Sequence, residues 1–165
     1  MVNLLGVVII ICGFLIPYFL TLPAGRTIPP IIFFYVGFFL LFKPNKYLKI
    51  SSSWAKYARI GVFMHIVSFL LLIFISLLVV NTSLSSIKFG YLLSIGMSWI
   101  SKPMTQISEV LFPTEWIKMP DGSYAGTINF FRYNVTGFLD ILFYIVVAIC
   151  IGKWISIKQK RVQQT

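Results

Sequence analysis

A chain of 165 residues that is 58% hydrophobic, 17% aromatic and only 11% charged, with a mean hydropathy of +0.91, lacks the polar surface a soluble fold needs. The length accommodates about four apolar helices of the ~20 residues that cross ~30 Å of hydrocarbon, and leaves little for a second domain. Although the formal net charge is +10, no basic stretch is long or aromatic-interleaved in the way a groove tracking phosphates must be, so no nucleic-acid partner is expected.

The first predicted span is Leu4 to Leu22, about 28 Å of helix. Met1-Val2-Asn3 before it carries no basic residue, and the run is too long for a signal-peptide core, so it reads as a retained span. Pro17 predicts a kink whose freed carbonyl a neighbouring helix must satisfy. Residues 23–27 make a short outer turn, and Pro29 and Pro30 suit the first turn of a second span, Pro29 to Phe42. That span is only about 21 Å long. Three remedies exist: a start nearer Pro23 with Arg26 snorkelling outward, a thinner bilayer, or extension through Lys43 and Tyr47. Its phenylalanines and Tyr35 form a bulky lipid-facing surface, with Gly37 as a notch for close helix contact.

The loop from Lys43 to Arg59 carries Lys43, Lys46, Lys49, Lys56 and Arg59 among Tyr47, Trp54 and Tyr57, the mixture expected at a head-group interface. Such a loop serves as a topological anchor or as a docking surface for a cytoplasmic partner, and Ser51, Ser52 and Ser53 are expected to break any long helix there. The third span is Ile60 to Val80. It contains the only histidine, His65, which shares a helical face with Ser68, Leu72 and Ser76 and suits interhelical hydrogen bonding. Leu84 to Ile100 is apolar enough to enter the bilayer but is not counted as a span. Crossing would carry the last basic cluster to the outside, so an outer interfacial helix or a re-entrant segment is expected.

Residues 101–126 remain rich in large apolar groups and are expected to lie on the membrane or cap the helices. Pro120-Asp121-Gly122 predicts a turn, with 116–119 and 123–128 pairing as a hairpin. Asn81-Thr82-Ser83 and Asn134-Val135-Thr136 match glycosylation sequons. The last helix should run from about Thr127 to Ile157, crossing over 137–157 and leaving 81–136 as the outer region. Asn129, Tyr133, Thr136, Asp140 and Tyr144 fall on one of its faces, with Arg132 beside them. Asp140 is an intramembrane acid, which points either to a proton or cation site or to a structural pair with Arg26, Lys88 or Arg132.

Cys12 and Cys150 lie in apolar runs without a CxxC and read as small buried hydrophobes. One histidine supplies neither metal spacing nor a second haem ligand, so no cofactor is expected. No Ser-His-acid set, workable carboxylate pair or phosphate-cradling glycine loop appears, so the chain is not expected to be an enzyme. Disulfide-generating quinone reductases need paired outer cysteines, and lipoprotein signal peptidases need aspartates in contexts that Asp121 and Asp140 do not match.

These readings combine into an all-α integral membrane protein: a single polytopic domain over residues 1–165, a four-helix transmembrane bundle with an outer interfacial or re-entrant segment between spans three and four. Nine of the fourteen cations, the five in the loop together with Lys153, Lys158, Lys160 and Arg161, fall on one side, which the positive-inside rule makes cytoplasmic along with both termini. Localisation in a cell membrane of the bacterial inner-membrane type follows, with anionic lipid head groups as partners of the basic clusters. In outline only, without a shared motif, the plan resembles that of immunity proteins against pore-forming bacteriocins. The expected function is non-enzymatic contact with another membrane protein or a toxin, with self-association open. The alternatives are a small transporter or channel component with Asp140, Tyr144 and His65 along a polar path, and a lipid-active enzyme.

Overall fold

The computed structural model describes residues 2–16, 19, 23–45, 51–81, 95–96, 98–100, 102–111, 113, 116–120, 122–126 and 130–162. They form helices α1 (Val2–Leu15), α2 (Pro23–Leu41), α3 (Ser52–Asn81), α4 (Thr105–Leu111) and α5 (Phe130–Val162), with a hairpin of β1 (Trp116–Lys118) and β2 (Tyr124–Gly126) between α4 and α5. Two helical stretches are long and apolar enough to cross a membrane: Ser52–Leu78, with a mean hydropathy of 2.6, and Arg132–Gln159, at 2.3. Val2–Leu15 and Pro29–Leu41 are shorter apolar helices. Only 22% and 33% of the two long apolar windows are buried, whereas the core helix of a soluble protein would be mostly covered.

Several boundaries differ from expectation. α1 ends at Leu15, followed by a single 3-10 residue, Ile16, and most of the rest of the expected span to Leu22 lies outside the described residues. The kink expected at Pro17 lies outside the described residues. α2 starts at Pro23, so Pro29 and Pro30 lie inside it and not in its first turn. Pro23 takes the first helical position, where a missing donor costs least, and the helix reaches 19 residues, about 28 Å. The serines at 51–53 begin a helix where a break was expected. The Ser51 hydroxyl accepts the Trp54 amide at 3.3 Å, an N-cap from which α3 runs 30 residues, about 45 Å. The predicted hairpin is present in the register Trp116–Gly126, Ile117–Ala125 and Lys118–Tyr124. Its turn is closed by the Gly122 amide on the Met119 carbonyl at 3.0 Å, and Gly122 holds φ at +84°, where a side chain would be strained.

The helices pair antiparallel as α1 with α2 and α3 with α5. In each pair a glycine lets backbones meet: a Cβ on Gly6 would stand 2.6 Å from the Gly37 carbonyl, and one on Gly61 2.6 Å from the Tyr144 carbonyl and the Ile145 Cα. α2 joins the two pairs. Phe34, Phe38, Ala58, Val62, Ile141 and Ile145 are buried along this seam, and the rings of Phe14, Phe34 and Phe138 meet at centroid distances of 4.8 to 5.6 Å.

One end of the bundle is tied by Asn3. Its side-chain amide donates to the carbonyls of Leu41 at 2.6 Å and Lys43 at 2.8 Å, and its oxygen accepts from Asn45 Nδ2 at 2.6 Å. These carbonyls end α2 and have no partner within the helix, so a polar residue on α1 finishes its neighbour. The start of α1, the end of α2, the start of α3 and the end of α5 therefore lie together.

Candidate functional site

Asp140 is the centre of the polar interior, 1% exposed on α5. Opposite it the chain is helical at Ser98–Ile100 and again from Thr105, with Lys102, Pro103 and Met104 between. Pro103 has no amide and biases Lys102 away from helical geometry, so a continuous helix is blocked there. In such a helix the Met104 amide would bond to the Ile100 carbonyl four residues earlier. Instead, the Met104 amide donates to Asp140 Oδ1 at 2.8 Å, and the Ile100 carbonyl accepts the Tyr144 hydroxyl at 2.7 Å. Asp140 and Tyr144 are one helical turn apart on the same face of α5, so the pair acts as a splint that satisfies both ends of one broken backbone bond. Lys102 lies near enough for its charge to act on the carboxylate.

Neither reading of Asp140 from the sequence named a backbone partner. Arg132 stands two turns away, about 12 Å along the axis, and the bond the carboxylate makes is to a main-chain amide. Lys88 and Asn129 lie outside the described residues, as does the side chain of Arg26. The predicted polar stripe does not hold together as a site: Tyr133 is 56% exposed, and the buried Thr136 hydroxyl donates to the Arg132 carbonyl of its own helix at 2.8 Å. Asn134 is 2% exposed, so that sequon presents no acceptor for a glycan, and the other extends beyond the described residues.

His65 adjoins the splint and is buried. Its Nδ1 shares a hydrogen bond of 2.8 Å with the Tyr35 hydroxyl, and its ring meets Tyr144 edge-on at 5.2 Å. Ser68, expected to help, instead bonds the His65 carbonyl within α3 at 2.9 Å. Tyr35, read from sequence as lipid-facing, is half-buried on this inner face beside His65. Tyr35, His65, Tyr144 and Asp140 thus form one polar layer across α2, α3 and α5. Sequence reasoning found three of the four. Missing Tyr35 had a simple cause: an aromatic among phenylalanines signals lipid contact as readily as a buried donor.

The described cations of both clusters share the end tied by Asn3: Lys43, Lys56, Arg59, Lys153, Lys158 and Arg161. Arg59 is half-buried and reaches the Phe39 carbonyl at 3.4 Å, and Lys158 lies over the Trp154 ring at 5.5 Å. Lys46 and Lys49 lie outside the described residues, as does the side chain of Lys160. Cys12 is half-buried but Cys150 is exposed, contrary to its reading as a buried hydrophobe, because it faces outward from α5 beside Val146 and Ile151. No cluster of three His, Cys, Asp or Glu able to hold a metal occurs among the described residues.

The architecture is a mostly helical bundle with two membrane-length apolar helices, two shorter ones and a polar layer holding an irregular segment against α5. No protein-family model, curated protein or solved structure matches the chain.

Proposed function

We propose that the chain is a non-enzymatic, four-span protein of a bacterial-type inner membrane that acts by contact with another membrane protein or a toxin, in an accessory or immunity-like role. α1, α2, α3 and α5 cross, both termini face the cytoplasm, and the shared cationic end meets anionic head groups. The observation that carries this reading over transport is the state of Asp140. A carboxylate serving a permeant proton or cation needs a path to water, and this one is 1% exposed and bonded to the Met104 amide. Its burden is structural, which favours a molecule whose activity lies on its surfaces. Those surfaces are broad and apolar, including Phe63, Leu70 and Phe74 on α3 and Trp116 and Ile117 on the hairpin.

Asp140→Asn separates the two readings. It retains an oxygen to accept the Met104 amide but removes the charge. Lower yield of folded protein, or weaker retention of a stoichiometric partner in mild detergent, is expected, with no change in pH-gradient-driven flux in proteoliposomes. A flux carried by the native chain and abolished in Asp140→Asn would overturn the contact reading in favour of transport.

A further inference from the structure

We infer that residues 98–111 form a re-entrant segment sunk into the outer leaflet, with Trp99, Ile100, Ile107, Val110 and Leu111 against lipid acyl chains. The inference rests on the four-span reading and adds the depth and the lipid contact of this segment. Depth follows from the splint. Lys153 marks the cationic end of α5, and Tyr144 and Asp140 lie nine and thirteen residues before it, about 14 and 20 Å along the axis. Against ~30 Å of hydrocarbon, Tyr144 falls about at the midplane and Asp140 between it and the outer boundary. The Ile100 carbonyl and Met104 amide are bonded to these two side chains, so the segment reaches the same level.

The chain on either side lies farther out. α3 ends at Asn81, 22 residues or about 33 Å beyond Arg59, and α5 begins at Phe130, about 34 Å beyond Lys153. The chain therefore leaves α3 at the outer end, is found at depth by residues 98–104, and is back at the outer end by Phe130. Non-helical backbone at such depth is tolerated only when its polar groups have protein partners. Asp140 and Tyr144 provide them at the break, the Lys102 amide bonds the Ser98 carbonyl at 2.9 Å, and the Thr105 amide bonds the Lys102 carbonyl at 3.2 Å. The side chains of the segment match this placement: Trp99 is 59% exposed, Val110 83% and Leu111 60%, and on α5 Phe143 and Val146 are exposed as well. A segment above the membrane would present that surface to water.

The test uses single-tryptophan variants reconstituted in phosphatidylethanolamine and phosphatidylglycerol vesicles doped with nitroxide-labelled phosphatidylcholine. Trp54, Trp116 and Trp154 are replaced by Phe, leaving Trp99. A companion variant also carries Trp99→Phe and a reporter, Leu71→Trp, at an exposed mid-helix position of α3. Both reporters are expected to lose more emission to a nitroxide near the acyl-chain terminus than to one near the head group, and to resist aqueous iodide. If Leu71→Trp behaves so while Trp99 is quenched by the shallow label or by iodide, the re-entrant assignment is overturned and the four spans stand. If neither reporter responds to the deep label, the four-span reading fails and this inference fails with it.

Discussion

The splint makes a demand that ordinary buried polar contacts do not: its energetic importance should depend on whether the opposing helix is broken. Asp140→Leu leaves the Met104 amide buried without an acceptor, a loss of about 1–3 kcal/mol. Tyr144→Phe deprives the Ile100 carbonyl of its donor and should cost less, about 0.6–1 kcal/mol, in line with interhelical bonds in lipid. Because both bonds support one break, the double variant should lose less than the sum. Pro103→Ala then supplies the decisive background. It lets the Met104 amide return to the Ile100 carbonyl and relieves the helix-breaking penalty of proline, ~3 kcal/mol in a helix interior. Added to the Asp140→Leu, Tyr144→Phe double variant it should restore stability. Added to the native chain it should restore little or destabilise, since the carboxylate would lose its amide. Equilibrium unfolding in mixed micelles of rising dodecyl sulfate fraction, followed by circular dichroism, measures all of these. Strict additivity, together with an equal effect of Pro103→Ala in both backgrounds, would refute the splint.

The remaining expectations concern the ties between helices, and the same unfolding assay reads each. Gly61→Ala should destabilise by about 1–3 kcal/mol, because its new methyl meets α5 backbone that cannot rotate away; a neutral result would refute the close approach at Ile145. Asn3→Ala frees the carbonyls of Leu41 and Lys43 at the end of α2 and should cost about 1–2 kcal/mol; an unchanged midpoint would show that water replaces the side chain there. Tyr35→Phe should cost about 1 kcal/mol in the native chain and nearly nothing beside His65→Phe; equal costs in both would mean the two side chains do not share a bond.

Parts of this arrangement are legible in the primary structure because they depend on one segment at a time. The Pro120 to Gly122 turn needs only a residue that fixes φ and one that tolerates a positive value, and the hairpin forms where that pattern predicts it. His65 and Asp140 stand out because polar groups in apolar runs are costly wherever their partners are. Helix starts are less legible. Ser51 could break a helix or cap one, and the choice depends on whether the following residues find a neighbour, as Ala55 and Ala58 do in the core.

What the amino-acid order determined by itself was the set of apolar runs and the clustering of cations at Lys43 to Arg59 and Lys153 to Arg161, since hydrophobic transfer and charge act on each segment wherever it packs. What only the tertiary structure decided was which groups Asp140, Tyr144 and Tyr35 bond. Asp140 bonds a backbone amide 36 residues away, and Tyr144 a carbonyl 44 residues away. Every non-proline residue carries the same amide and carbonyl, so side-chain patterns cannot mark which of them are left over; that is set by where Pro103 interrupts one helix and which face of another lies opposite.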